Sequence, residues 1–188
     1  MASTSDIRNG LCIRYNNDIY KIIEFLHVKP GKGPAFVRTK LKSVTTGKVL
    51  DNTFSAGHKI DDVRVETHKF QFLYAEGETY HFMNTEDYNQ ITLQKSALDA
   101  PDLLKEGEVV TVSINSEDQM PLSVDMPASV ILEVTATEPG VKGNTATNAT
   151  KPATVETGAE VMVPLFINEG DKIKIETEKG SYKERIKE

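Results

Sequence analysis

Apolar and polar residues alternate with a period close to two along most of this chain, and stretches with the spacing of an amphipathic helix are nearly absent. Successive side chains of a β-strand point to opposite faces of a sheet, so this alternation is typical of strands with one buried face. The pattern predicts a mostly β protein. A length of 188 residues allows one domain or two or three small ones.

The first third of the chain predicts four short strands separated by turn residues. They run near Leu11 to Tyr15, Ile19 to Val28, Ala35 to Leu41 and Lys48 to Phe54. Short strands at this spacing suit a small barrel. Because Asp61-Asp62 precedes a new hairpin, the first domain is predicted to span residues 1–62.

Two further β domains are predicted, over residues 63–127 and 128–188, with their boundary near Met126-Pro127. Each contains an acidic-glycine-acidic turn that leads into an alternating strand, at Glu106-Gly107-Glu108 and at Glu169-Gly170-Asp171. This echo predicts that the two domains share a fold. Five-stranded oligonucleotide-binding (OB) barrels fit both in size and in strand content.

Three local features of these two domains are also predicted. The aromatic residues of a hairpin between residues 69 and 83 are assigned to the core: Phe70, Phe72, Tyr74, Tyr80 and Phe82. The stretch Ser96 to Lys105 is predicted to be helix-like, with an interruption at Pro101. The stretch Pro139 to Pro152 is poor in large apolar residues and predicts a long exposed loop.

Lys32 stands between two glycines and two prolines, in the stretch Lys29-Pro30-Gly31-Lys32-Gly33-Pro34. Proline fixes its own φ and glycine tolerates positive φ, so the stretch favours a defined turn. Because strands are predicted on both sides, Lys32 is expected at the tip of a hairpin with a loop of about four to six residues. A plain surface turn is the alternative, since these residue types are common in turns.

The net charge of −6 is unevenly distributed: residues 1–62 carry +4, residues 63–127 carry −8 and residues 128–188 carry −2. Five cations and no acid fall between residues 29 and 42: Lys29, Lys32, Arg38, Lys40 and Lys42. The last three share the face of their predicted strand that points away from the core. Such a stripe can bind RNA phosphates, although a solvated face without a partner is the commoner outcome.

No catalytic or metal-binding constellation is visible in the sequence. The four histidines lie on separate segments, and no cysteine pair is present to complete a zinc site. Gly31-Lys32-Gly33-Pro34 is not a phosphate-binding P-loop, which requires Ser or Thr after the lysine. The single cysteine, Cys12, lies in a predicted strand and is interpreted as a reduced thiol. We therefore predict no intrinsic active site, no metal and no bound cofactor.

The sequence also bears on location. No apolar run approaches the length of about 18 residues that a membrane span requires. The N-terminal residues lack the basic and apolar regions of a secretory signal. We expect a soluble protein in the cytoplasm with no membrane partner.

Three stretches resemble motifs of the bacterial translation elongation factor P family. They are Lys29 to Arg38, Gly143 to Ala159 and Gly180 to Arg185. Together with the intervening sequence, the resemblance covers essentially the whole chain. It implies an SH3-like (KOW-type) N-terminal domain followed by two OB barrels, in an L-shaped arrangement that resembles tRNA.

The resemblance implies a role in translation. Members of this family bind both subunits of the ribosome between the peptidyl (P) and exit (E) tRNA sites, and they promote peptide bond formation at stalled polyproline sequences by positioning P-site peptidyl-tRNA. Lys32 takes the position that reaches the peptidyl-transferase centre, where many members carry a covalent extension added by a lysine-modifying enzyme. Because the ribosome performs the chemistry, the factor is not an enzyme. We expect it to act as a monomer.

The resemblance also implies specific contacts with the ribosome. Arg38, Lys40 and Lys42 are expected to meet RNA phosphates near the tip. Six residues of the C-terminal domain are expected to lie toward the small subunit: Gly143, Asn144, Thr145, Lys151, Tyr182 and Arg185. Asn144 departs from the family pattern, which more often has an aspartate there, and Pro34 is one of several residues tolerated at its position.

Other functions explain part of the sequence. A swinging-arm carrier bearing biotin or lipoate on Lys32 accounts for the hairpin tip, but not for two further barrels, and Lys32 lacks the flanking residues typical of those attachment sites. An elongation-factor-P-like paralogue has similar domains and a different tip sequence. A generic module for single-stranded RNA is disfavoured by the acidic middle third.

Overall fold

The computed structural model describes residues 1–140 and 149–187. Within these residues the chain forms sixteen strands and three short 3-10 segments, and no α-helix. The predicted all-β class is confirmed. None of the described helical segments is long and apolar enough to cross a membrane.

The strands follow one another in short succession. Those of the first third are β1 (Ala2–Ser3), β2 (Cys12–Tyr15), β3 (Asp18–Val28), β4 (Phe36–Ser43), β5 (Val49–Ser55) and β6 (Lys59–Ile60). Those of the middle are β7 (Val65–Glu76), β8 (Thr79–Asn84), β9 (Gln90–Gln94), β10 (Val109–Asn115) and β11 (Pro121–Asp125). The last are β12 (Ser129–Thr137), β13 (Thr150–Val155), β14 (Glu160–Pro164), β15 (Lys172–Glu176) and β16 (Ser181–Ile186). The 3-10 segments are Thr4–Asp6, Lys95–Ala97 and Pro101–Leu103.

The chain divides into two compact units. The first comprises residues 1–68 and 112–124, and the second comprises residues 69–111 and 125–188. The finer division into domains 1–62, 63–127 and 128–188 stays a prediction.

The first unit contains an antiparallel sheet with the order β2-β3-β4-β5. Its core is apolar: Ile7, Ile13, Ile22, Val37, Leu41, Phe54 and Ile60. Burial alternates along β4, where Val37, Thr39 and Leu41 are buried and the residues between them are not. The four strands predicted in this region, and the facing predicted for β4, are confirmed.

The second unit contains an antiparallel sheet with the order β14-β13-β12-β15-β16. Its core consists mainly of β-branched residues: Val130, Leu132, Val134, Val155, Val161, Val163, Ile167, Ile173 and Ile175. Leu103, from the third 3-10 segment, is buried in the same cluster. The remaining five-stranded sheet has the order β11-β10-β7-β8-β9.

The prediction that Tyr74 belongs to the core is wrong. The pairing of β7 with β8 shifts by one residue between Phe72 and Tyr74, which is a β-bulge. A one-residue shift moves the following side chain to the other face of a sheet. Phe72 is therefore buried, whereas Tyr74 is 47% exposed and stacks on His81 with ring centroids 4.4 Å apart. The other four aromatic residues assigned to the core are buried.

The helix predicted over Ser96 to Lys105 is also absent. In its place are two isolated 3-10 turns, closed by bonds from Leu98 N to Lys95 O and from Leu104 N to Pro101 O. Proline has no N–H and clashes with the preceding turn, so Pro101 can begin a helical turn but cannot continue one. The leucines of this stretch are nevertheless buried: Leu98, Leu103 and Leu104.

The loop predicted over Pro139 to Pro152 ends earlier than expected, because β13 begins at Thr150. Lys151 is buried on the inward face of β13, which it shares with Ala153 and Val155. Its long aliphatic stem covers the core while its ammonium group donates a hydrogen bond to the carbonyl oxygen of Glu138 at 2.5 Å. Residues 141–148 lie outside the described residues.

The Asp18 carboxylate joins the start of β3 to the turn that follows β4. It accepts hydrogen bonds from Ser43 Oγ and Thr45 Oγ1, both at 2.6 Å, and from its neighbour Ile19 N at 2.8 Å. Partial burial acts to raise the pKa of Asp18, but the three hydrogen bonds more than offset it, so the pKa lies below its ordinary value.

Replacing Asp18 with alanine is expected to lower the free energy of unfolding by about 1–3 kcal/mol at pH 7, since charge-assisted hydrogen bonds are lost. Because the folded pKa lies below the unfolded one, this stabilisation is complete above about pH 4 and is lost as the pH falls through the folded value. Urea unfolding of both proteins at pH 7 and pH 2.5 measures the difference. A gap that is equally large at pH 2.5, or as large for the exposed control Asp51→Ala, would contradict this assignment.

Candidate nucleic-acid interface

The β3–β4 hairpin positions the candidate site. Its pairing runs from Tyr20 opposite Ser43 to Val28 opposite Phe36, with a bulge between Ile22 and Glu24. β3 has 11 residues, so at about 3.4 Å per residue it forms a long arm. Residues 29–35 connect the two strands, a loop slightly longer than predicted. This fixed register places the lysine stretch at the end of the arm.

The tip loop is exposed throughout. Lys32 and its five neighbours in the stretch are all exposed: Lys29, Pro30, Gly31, Gly33 and Pro34. Gly33 has a φ of +107°, which an L side chain rarely adopts, so the turn needs glycine at this position. Gly31 does not have a positive φ, and a Cβ there would meet open space. The two glycines therefore differ: the backbone requires Gly33, whereas Gly31 leaves the flank of Lys32 unobstructed.

The basic stripe, Arg38, Lys40 and Lys42, lies on the outer face of β4 as predicted from the alternation. Its cations are not equally available. Arg38 is exposed and its guanidinium carbon lies 5.6 Å from the centroid of the Phe36 ring. Lys42 is half-buried. An arginine fork next to an aromatic ring suits a phosphate or a flat base, so Arg38 is the member of the stripe that is best placed for RNA.

Lys40 is partly neutralised within the protein. Its ammonium group lies 2.9 Å from a carboxylate oxygen of Glu24, its cross-strand neighbour on β3. This hydrogen bond, together with the charge of Glu24, raises the pKa of Lys40. Sequence reasoning missed Glu24, because the pair forms through the register of two strands and the bulge that precedes it. An RNA phosphate would have to compete with Glu24 for Lys40.

The C-terminal candidate residues are only partly within the described structure. Gly143, Asn144 and Thr145 lie outside the described residues. Tyr182 is half-buried and packs against the core of its sheet. Lys151 is buried, as described above, and so cannot present its ammonium group at a surface without rearrangement.

Arg185 lies in a small cluster that sequence reasoning did not identify. Its guanidinium carbon is 5.5 Å from the centroid of the Phe166 ring, and its Nη1 is 3.7 Å from Asp171. Phe166 is 57% exposed, which is unusual for a large apolar side chain. The position of Phe166, two residues after Pro164, gave no signal of this pairing.

No group of three or more potential metal ligands was found among residues 1–140 and 149–187. Cys12 is buried. The first unit presents the exposed lysine Lys32 at the end of the β3–β4 arm and the exposed arginine Arg38 on its flank.

Comparison with known protein families accounts for nearly the whole length of the chain. Residues 3–60 match the elongation factor P (EF-P) KOW-like domain, residues 65–124 match the EF-P OB domain, and residues 130–185 match the C-terminal domain of elongation factor P. The chain belongs to the elongation factor P family. The resemblance seen in the sequence motifs is thereby confirmed, as are the KOW-like and OB folds.

Close relatives support this family membership. The chain is 85% identical over 188 residues to elongation factor P of Christiangramia forsetii and 80% identical over 188 residues to that of Flavobacterium johnsoniae, with 100% of both chains covered in each case. Among solved structures, eukaryotic translation initiation factor 5A from Methanococcus jannaschii is similar with a TM-score of 0.49 and 17% identity, over 65% of this chain and 92% of that one. The elongation factor P family is one of translation factors.

Replacing Glu24 with glutamine is expected to strengthen binding of a single-stranded RNA oligonucleotide by about twofold to fivefold at low salt, because Lys40 is released for phosphate. The dependence of the binding constant on salt should also become steeper. Fluorescence anisotropy titrations at several salt concentrations measure both effects. Glu178→Gln makes the same change in net charge at an exposed position in the other unit, and an equal gain in that variant would show that Lys40 is not responsible.

Proposed function

We propose that this elongation factor P family protein binds the ribosome between the P and E sites and promotes peptide bond formation at stalled polyproline sequences by positioning P-site peptidyl-tRNA. One observation carries the proposal: Lys32 is exposed at the tip of a hairpin whose register is fixed by eight residue pairs from Tyr20 opposite Ser43 to Val28 opposite Phe36. A cation held on such an arm can reach into a narrow cavity where the body of a barrel cannot.

The physical role of Lys32 is to reduce the entropic cost of reaction. Proline is a sterically constrained nucleophile, and its peptidyl-tRNA is poorly oriented for attack. Holding reacting groups in the correct geometry removes a large part of an activation barrier without any new chemistry. Lys32 supplies this by contacting the peptidyl-tRNA through charge, while the ribosome performs the reaction. The protein is accordingly not an enzyme and uses no bound cofactor.

The flanking residues support the tip. Gly33 sets the turn, and the prolines of the loop limit the conformations that Lys32 must give up on binding. Arg38 contacts an RNA phosphate beside the tip, with Lys40 and Lys42 making a smaller contribution because Lys40 is paired with Glu24 and Lys42 is half-buried.

The C-terminal domain contacts the small subunit in this proposal. Gly143, Asn144 and Thr145 form the contact, together with Tyr182 and Arg185. Lys151 does not contact the small subunit in this proposal. Its buried ammonium group donates a hydrogen bond to the carbonyl oxygen of Glu138 and so holds the backbone at Glu138 in place. The protein acts as a cytoplasmic monomer.

Lys32 is also proposed as the site of a covalent extension, added by a separate lysine-modifying enzyme. Its exposure makes it accessible, and Gly31 leaves one side of it open. A cationic extension would lengthen the reach of the arm.

Replacing Lys32 with alanine is expected to abolish most of the stimulation of a polyproline reporter and to leave a proline-free reporter unchanged, because only the proline reaction needs positioning. The measurement is complementation of a strain that lacks the factor, with both reporters read in parallel. Lys48→Ala removes another exposed lysine of the same unit and should behave as wild type. Full rescue of the polyproline reporter by Lys32→Ala would overturn the proposal.

Fragmentation mass spectrometry of the protein from its native source should place any added mass on Lys32 and none on Lys29. Unmodified lysine and a small cationic extension both agree with a positioning cation. Biotin or lipoate on Lys32 would instead show a swinging-arm carrier and contradict the proposed function.

A further inference from the structure

The β3–β4 arm has a second face, opposite the basic stripe, that carries two aromatic rings. Phe25 and His27 lie two residues apart on β3, opposite Thr39 and Val37 of β4. Their rings meet edge to face with centroids 5.5 Å apart. Phe25 is 37% exposed and His27 is also exposed. An aromatic pair of this kind on a solvent-facing strand is not explained by packing of the core.

At this point β3 is an edge strand of the sheet. Its other neighbour, β2, pairs only with residues Asp18 to Lys21. Beyond the bulge at Ile22, β3 has β4 as its only strand partner among the described residues. Phe25 and His27 lie on the same side of the sheet as the buried residue Val37, but their own side chains are exposed to solvent.

A cleft of about 400 Å³ adjoins His27, one residue of this pair. His27, Val28, Lys29 and Ala35 line one side, and Ser3 and Ser5 face them from the N-terminal segment. The cleft thus combines an apolar wall, three hydroxyl groups, from Ser3, Thr4 and Ser5, and one cation. No carboxylate is among the described residues that line it.

We propose that this aromatic face, formed by Phe25, His27 and the adjoining cleft, binds an unpaired nucleobase of the RNA that the arm contacts. The inference rests on the proposed function for the presence of RNA at the arm. An aromatic ring stacks on any base, and Lys29 can pair with the phosphate of the same nucleotide. The hydroxyl groups of Ser3 and Ser5 hydrogen-bond to each other and Ser3 donates to Asp6, so their oxygens can accept hydrogen bonds from the amino group of a base edge. The ligand class is single-stranded RNA.

Charge favours RNA over a peptide as the occupant. The segment from Lys29 to Lys42 contains five cations and no acid, so the arm has a local positive charge on an acidic protein. With the basic stripe on one face and the aromatic face on the other, the arm offers phosphate contacts and base stacking together, which is the usual combination in single-strand RNA sites.

The direct test is a titration of the full chain with a mixed-sequence single-stranded RNA hexamer, in which binding is monitored through the amide chemical shifts of the protein. Wild type and Phe25→Trp should bind alike, whereas Phe25→Leu should bind at least about fivefold more weakly, because it keeps apolar area and loses the aromatic ring. Leu26→Ala is the matched control: Leu26 lies between the two rings in sequence, is 59% exposed and faces the stripe side opposite Arg38. It should bind within about twofold of wild type.

Three results would overturn the proposal. They are equal affinity of Phe25→Leu and wild type, shifts confined to the stripe side of the arm, and no binding of the hexamer by the wild type. If Phe25→Leu retains the stimulation of polyproline synthesis and Phe25→Ala loses it, an apolar protein surface docks on this face instead of a nucleobase.

A parallel assay separates this inference from the proposed function. In reconstituted polyproline synthesis, Phe25→Leu should raise the protein concentration that gives half-maximal stimulation, again by about fivefold or more, while Lys32→Ala removes the stimulation. If Lys32→Ala has no effect, the proposed function fails and the RNA titration still decides the nucleobase site. If Phe25→Leu matches wild type in both assays while Lys32→Ala loses the stimulation, the nucleobase site fails and the proposed function stands.

Discussion

The pairing register of β3 with β4 is the constraint on which the functional end of this molecule depends. Because side chains alternate with a period of two, a slip of one residue would turn the basic stripe toward the core and expose Val37 and Leu41. The same slip would move Lys32 away from the centre of the tip loop. The apolar core and the positive φ of Gly33 thus fix where a single ammonium group stands.

The arm concentrates positive charge on a protein that is acidic as a whole. Lys40 is held by Glu24, which limits nonspecific attraction, whereas Arg38 and the tip lysines are left exposed. The two aromatic side chains Phe25 and His27 are exposed on the part of β3 that lies at the edge of the sheet. Exposed apolar groups on an edge strand are costly in isolation, so their presence beside cations points to a partner that combines charge with flat apolar surfaces.

Alternation and turn chemistry were sufficient to predict the four strands β2 to β5 and the position of Lys32, and sequence motifs identified the family. Features set by tertiary pairing could not be predicted in this way. The bulge that exposes Tyr74 depends on the register with β8, and the Glu24–Lys40 pair joins residues on different strands. The burial of Lys151 was missed because a lysine is ordinarily a surface residue, although its stem can cover a core when its ammonium group finds a carbonyl.

The central claim is that Lys32 is positioned, by the geometry of the hairpin, at the site of peptide bond formation. The most direct measurement is a cryo-electron microscopy structure of this protein on a ribosome stalled at consecutive prolines. The account predicts the β3–β4 hairpin inserted toward the peptidyl-transferase centre, with the Lys32 side chain in contact with the 3′ end of the peptidyl-tRNA. A bound protein whose hairpin points away from that end, or whose Lys32 faces only solvent, would contradict it.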